Sequence, residues 1–269
     1  MTSFVPLTFE NHREVRIGPG GRLTDFSDLS LLPIYDLEIP KLAASFPLAF
    51  ALESPLPFAQ DTDGYRFCLL CSLSDGMPNG WIDHEGKWVG GYLPAVIRQR
   101  PFTVLMNEEE ELGLYIDEDS PLIMGEGEQP LFEDGSPTEY LTRIKQYLPA
   151  LYNSGVRTSK IMKLLQKLDL FTPWEIQYFN EEEVATTVQG VFRINEEKLK
   201  QLNDEDWLSL KNEGAIPVIY GQLLSTGNLQ TLALNLQSKI DYAKDLQISQ
   251  ESIDFTLGGD NETFDFDNL

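Results

Sequence analysis

Positive charge is scarce in this chain. Its 269 residues carry 20 lysines and arginines against 43 aspartates and glutamates, a formal charge of −23. A surface of that sign lacks the phosphate contacts a nucleic-acid binder needs, and it is repelled by anionic lipid. Histidine is nearly absent, with only His12 and His84. No H-x-D pair exists, and two histidines so far apart in sequence give no iron or zinc ligand set. Cysteine is confined to Cys68 and Cys71, inside an apolar run. On a strand, positions three apart point to opposite faces, so the two thiols read as buried structural residues rather than a redox or zinc pair. The chain also lacks a G-x-S-x-G elbow, a G-x-x-x-x-G-K-[ST] loop and a G-x-G-x-x-G turn. No catalytic residue, metal ligand or cofactor is assigned from these patterns, and the chain is not expected to be an enzyme. No apolar run approaches the ~18 residues of a membrane-spanning helix. The first residues show no basic-then-apolar order of a Sec-type signal. A cytoplasmic location is the expectation, with signal-independent export to the cell surface as the alternative.

The acid is concentrated. Residues 107–139 hold 12 acidic side chains and no basic one, and residues 246–269 hold six and none. The remainder is close to neutral. The run from Asp117 to Glu128 has the length of an EF-hand loop, but Pro121 and Leu122 stand where a ligand and the turn glycine are required. Only irregular calcium binding is left open there. Arg157, Lys160, Lys163 and Lys167 recur at three- and four-residue spacing, beside an apolar helical stripe. Packing of this stripe near the acidic 107–139 segment is one expectation; a solvated flank is the other.

The first hundred residues, rich in proline and glycine, read as short strands and loops. Phe67–Leu73 reads as a buried strand, and Asp83-His84-Glu85-Gly86 as a tight turn between Trp81–Ile82 and Lys87–Val89. Pro94–Arg100 reads as one or two helical turns stopped by Pro101. Phe102–Met106 and Leu112–Asp117 alternate as a hairpin. The second half is helical, with helices over Thr138–Tyr152 and Thr158–Leu168. A hairpin of Glu175–Phe179 and Ala185–Ile194 follows. Asn195 and Asp204 are read as N-caps of two short helices, and a long helix spans Pro217–Leu246. The fold class is α+β. It has a strand- and turn-rich N-terminal half with antiparallel hairpins and a mainly helical C-terminal half, as a single domain over 1–245. Residues 246–269 read as an acidic, disordered tail; the closing Phe-Asp repeat also loosely fits a C-terminal secretion signal.

The stretch Trp88-Val89-Gly90-Gly91-Tyr92-Leu93-Pro94-Ala95-Val96-Ile97-Arg98-Gln99-Arg100-Pro101-Phe102 resembles the hallmark of the SapC-like family of bacterial proteins. Further matches follow in the family's order. They include Asn11-His12, Phe46-Pro47 with Phe50, Asp117 with Ser120, Gly127 with Leu131-Phe132, and Ile219-Tyr220 with Leu224-Ser225. Together they span roughly residues 5–235. Two departures stand out. The chain has Gly221-Gln222 where the family usually has a histidine, and Arg100 where it usually has an aromatic.

The resemblance implies association with bacterial surface layers and brings no established catalytic residues. It leads to the expectation of a non-enzymatic accessory or surface-layer-associated protein, whose partner is a protein or cell-envelope component. The alternative is an accessory enzyme or substrate-presenting partner of an oxidative system, since family members are encoded near TonB-dependent receptors and flavin halogenase-like proteins. Trp88, Tyr92 and Arg98 are the candidate partner-binding residues, because arginine and large aromatics dominate binding hot spots. The same residues also suit a core or corner role.

Overall fold

The computed structural model describes residues 4–18, 20, 23–52, 64–74, 76–107, 110–123, 128–179 and 185–257. The strands of the first half are β1 (Phe4–Pro6), β2 (Arg16–Ile17), β3 (Leu31–Pro33), β4 (Leu48–Ala51), β5 (Arg66–Leu70), β6 (Phe102–Met106) and β7 (Leu112–Asp117). Short strands β8 (Gln129–Pro130), β9 (Phe132–Glu133) and β10 (Ser136–Pro137) follow. The second half adds β11 (Phe171–Pro173), β12 (Gln177–Phe179), β13 (Ala185–Thr187) and β14 (Val191–Ile194). Among helices, α1 (Phe9–His12), α2 (Ile39–Leu42) and α3 (Ala95–Arg98) are single turns, and α4 spans Glu139–Lys167. The chain then forms α5 (Glu196–Lys200), α6 (Asp204–Asn212), α7 (Ile216–Ser225) and α8 (Leu229–Leu257). Mixed helices and antiparallel sheets make this an α+β protein, as the sequence indicates.

The main sheet runs β11-β14-β4-β5-β3, with every pairing antiparallel. Its centre is apolar because Leu48–Ala51 and Phe67–Leu70 are continuous apolar runs, the pattern of a strand buried on both faces. Cys68 faces Ala49 on one neighbour and Pro33 on the other. Both cysteines are free and buried, and burial pushes the Cys68 thiol up to about 12. Val191 and Phe192 pair with Ala51 and Phe50, so the late strands complete a sheet begun in the first half. The expected strand Ala185–Ile194 is therefore two strands. β13 pairs with β12 in a separate hairpin, and Gly190, at φ +75°, lets the chain turn into β14 and the main sheet.

A second sheet, β1-β7-β6, contains the expected hairpin in register, with Phe102 opposite Ile116 and Val104 opposite Leu114. The described part of its tip, Glu110 and Glu111, is exposed.

The helices depart from the sequence reading in two places. Residues 138–168 form one helix, not two. Thr138 caps it by accepting the Leu141 N–H, and 29 residues extend it to about 43 Å. Gly155, in the gap between the two expected helices, lies within this one, and the Tyr35 ring packs against it. An added Cβ would lie 3.1 Å from Tyr35 Cε1. Beside it, Thr158 Oγ1 accepts the Asp36 N–H at 2.9 Å, and Arg157 pairs with the Asp36 carboxylate. Arg157 thus finds its acid at Asp36, outside the 107–139 segment.

Conversely, the expected single C-terminal helix is broken. α7 ends at Ser225, and a 3-10 turn over Thr226–Asn228 precedes α8. Asn228 Nδ2 donates to the carbonyls of Ala43 and Phe46, which holds the break against the α2 region. α8 continues through position 246 to Leu257; residues 258–269, with the Gly258-Gly259-Asp260 motif and the Phe-Asp repeat, lie outside the described residues. The cap of α6 is Asn203, whose side chain accepts the Asp206 N–H, one residue before the expected Asp204.

Apolar packing divides into two clusters. One joins the main sheet to α7 and to the C-terminal part of α4, through residues such as Phe46, Phe50, Leu165, Val218 and Leu232. The other joins the second sheet to the N-terminal part of α4, through Phe102, Ile116, Leu141 and Leu148. α3 straddles the seam, with Ile97 in the first cluster and Ala95 in the second.

Candidate binding cleft

The Trp88–Phe102 block reaches the seam through a chain of local constraints. Asp83 Oδ1 accepts the N–H groups of Glu85 and Lys87, and Gly86 closes the turn at φ +80°. An isolated bridge between Ile82 and Trp88 then fixes where the Trp88 ring goes. That ring packs 5.8 Å from the Phe46 ring, which in turn meets Trp81 edge-on at 4.7 Å. Trp88 Nε1 donates to the Tyr92 carbonyl at 2.9 Å. Gly90 is required here, since a Cβ would fall 2.3 Å from Phe46 Cζ. Pro94, with φ −56° and ψ 147°, delivers the chain into α3.

Beneath α3 lies Glu38, fully buried. Its Oε1 accepts the Ala95 N–H at 2.7 Å and its Oε2 accepts the Tyr35 N–H at 3.1 Å. Burial raises the Glu38 pKa; the two backbone donors, the Tyr92 side chain and the Arg98 charge oppose that rise. Sequence reasoning missed this residue, because one glutamate among 43 acids carries no local signal.

Arg98, at the end of α3, donates from Nη2 to the Tyr92 hydroxyl at 2.5 Å. Its guanidinium lies 4.8 Å from the Tyr92 ring centre and 5.4 Å from that of Tyr147. Among the described residues, no carboxylate stands within ion-pair distance of it. The Tyr92 pKa is raised, first by burial and then by Glu38. The Tyr147 hydroxyl is buried, and among the described residues it has no well-aligned hydrogen-bond partner; burial raises its pKa, and the nearby Arg98 guanidinium, by its charge and a hydrogen bond, partly offsets the rise.

Arg98 and Tyr147 form part of the wall of a cleft of about 820 Å³ at the seam of the two clusters. Phe26, Leu93, Ile97, Leu122, Tyr140 and Ile144 give it an apolar interior. Two further arginines reach it. Arg100 pairs with Asp25 at 2.8 Å and lies 5.1 Å from the Phe26 ring centre. Arg143 pairs with Glu139 one helical turn away at 2.9 Å. Among the described residues, the charged lining is three arginines and one carboxylate, Asp25. That is the reverse of the chain's overall balance.

Of the three candidate residues, the structure brings Tyr92 and Arg98 into direct contact. Trp88 holds Tyr92 through its carbonyl, and of the three only Arg98 is among the cleft's lining residues. Arg100 enters the sequence reading only as a departure from the family pattern, and Arg143 not at all. The available signal was three arginines set among aromatics in an acid-rich chain.

The histidines lie elsewhere. His12 is buried in α1, with Nε2 3.2 Å from Glu118 Oε1, and the His84 ring packs 4.7 Å from that of Tyr242. Among the described residues, no three His, Cys, Asp or Glu side chains converge as a metal site; part of the Asp117–Glu128 run lies outside them. Also among the described residues, no helix is long and apolar enough to cross a membrane. In a comparison with known families, the SapC family model matches residues 7–232. Neither a curated protein nor a solved structure matches the chain.

Proposed function

Starting from the fact that the chain belongs to the SapC family, we propose that it is an accessory protein that acts by binding a cell-envelope or surface-layer-associated partner molecule at the cleft beside α3. The observation that carries this reading is the convergence of Arg98, Arg100 and Arg143 on one apolar cleft of a strongly acidic chain. Such clefts, apolar with a few placed polar groups and often at the junction of packed units, are the usual form of a binding site. In this reading Arg98 faces the partner, Tyr92 orients it, and Trp88 and Glu38 hold α3 in place.

The test is retention of the native partner by wild type and by Ile144→Trp, which fills the cleft from a partly exposed position. Loss of the partner by a folded Ile144→Trp supports the reading. Undiminished retention overturns it.

A further inference from the structure

We infer that the cleft binds a small amphiphilic anion: one carboxylate or phosphate head on an aliphatic or aryl body. The inference rests on the proposed function and names the ligand chemistry of that same site.

The volume argues for a body as well as a head. At about 820 Å³ the cleft lies within the range of sites that enclose drug-sized ligands, and a bare inorganic anion would fill only a small part of it. The walls argue for an apolar body, with Phe26, Leu93, Ile97, Leu122 and Ile144 contributed by separate segments. The head is specified by charge. Guanidinium groups are weakly hydrated, planar forks that match carboxylate and phosphate oxygens; among the described residues three of them line the cleft, and the carboxylate there, Asp25, is paired with Arg100. Arg98 is the most available. Its hydrogen-bond partner Tyr92 is a neutral hydroxyl, its aromatic contacts hold the fork in place, and the buried Glu38, whose charge it feels, makes no ion pair with it.

The surroundings limit the ligand to a small molecule. Segment 107–139, which contributes Pro121, Leu122 and Gln129 to the wall, carries 12 acidic side chains and no basic one. A polyanion or an anionic membrane surface would also meet the strong net negative charge of the chain outside the cleft. A single-headed anion inside the cleft meets the arginines first. Tyr147 contributes a buried hydroxyl lacking a well-aligned partner, a further donor on the same wall.

The experiment is equilibrium dialysis of the full chain against dodecanoate, dodecyl phosphate and dodecanol, each below its aggregation limit. Wild type, Arg98→Gln, Arg143→Gln and Ile144→Trp are compared, with thermal melts to confirm folding. Saturable binding of dodecanoate or dodecyl phosphate at one per chain is expected, and whichever binds more tightly identifies the head. Dodecanol is expected to bind at least tenfold more weakly. Arg98→Gln should raise the dissociation constant of the anion about tenfold, and Ile144→Trp should abolish binding.

Equal affinity for dodecanol and the anions, or no binding of any of them, overturns the ligand class. If Arg98→Gln proves unstable, Arg143→Gln, on an exposed helix face, decides the charge contribution by lowering anion affinity with dodecanol affinity unchanged. Failure of the amphiphiles alongside loss of the native partner from Ile144→Trp rejects this ligand class and leaves the proposed function intact. Retention of that partner by Ile144→Trp rejects the function itself.

Discussion

The Arg98 guanidinium donates to the Tyr92 hydroxyl at 2.5 Å and lies over the same ring at 4.8 Å, so one tyrosine both bonds and stacks the arginine. Tyr92→Phe keeps the ring and removes this bond together with the hydroxyl's hydrogen bond to the buried Glu38 carboxyl. We expect it to cost about 1.5–3 kcal/mol of stability, since one of the two partners is a charged group. Ligand affinity should fall as Arg98 loses its orientation. Denaturant melts and the dialysis assay measure the two effects separately, and unchanged affinity would assign the contact to the fold alone.

Glu38 accepts one backbone N–H on each oxygen, from Ala95 and Tyr35. Glutamine can accept on only one. Glu38→Gln should therefore leave one buried N–H facing an amide NH₂ and destabilise by about 1–3 kcal/mol, read from the urea midpoint.

The same carboxyl sets a pH dependence. Its folded pKa is raised above the ordinary value of 4.5, so the folded state holds its proton more tightly than the unfolded chain. Its contribution to stability is greatest below 4.5 and declines as pH rises from there through the folded value. Tyr35, Tyr92 and Tyr147 face it and stay neutral across that window, and Arg98 stays charged. Subtracting the pH–stability curve of Glu38→Gln from that of wild type should isolate a decline with rising pH. A flat difference would mean that Glu38 titrates as an ordinary surface carboxyl.

Adjacent glycines in the family block should behave oppositely. At Gly90 a Cβ meets Phe46 at 2.3 Å and Trp88 Nε1 at 2.7 Å, whereas at Gly91 nothing lies within 4 Å. Gly90→Ala should cost about 1–3 kcal/mol by forcing the aromatic corner apart, and Gly91→Ala should be nearly neutral. Thermal melts of the pair provide the comparison.

Gln222 occupies the family's histidine region and is fully buried. Its Oε1 accepts the Ile194 N–H at 3.0 Å, and its Nε2 donates to the Leu48 carbonyl at 3.3 Å, tying α7 to β14 and β4. Gln222→Met should cost about 1–3 kcal/mol through the buried N–H left unpaired, again measured by urea unfolding.

Local chemistry made some of this structure legible in the sequence. Alternation placed both strands of the β6–β7 hairpin, Pro94 and Pro101 bracketed α3, and Asn195 marked the start of α5. Elsewhere tertiary contacts overrode the local signal. Gly155 sits inside a continuous helix with Tyr35 packed on it, and past Ser225 the chain turns where Asn228 is bound to the α2 region. The cleft was the least legible feature. Its walls come from the loop around Phe26, from α3, from the turn at Leu122 and from α4, and only the fold brings them together. Arg98 could be chosen from its motif, whereas Glu38 and Arg143 become visible only through their neighbours.

Whether Arg98 serves binding rather than folding is read from the stability and dodecanoate affinity of Arg98→Gln, measured on the same sample. If Arg98 serves binding, Arg98→Gln melts close to wild type and its dissociation constant rises about tenfold, equivalent to about 1.4 kcal/mol. A variant that melts much earlier, yet binds dodecanoate with wild-type affinity while folded, would contradict it.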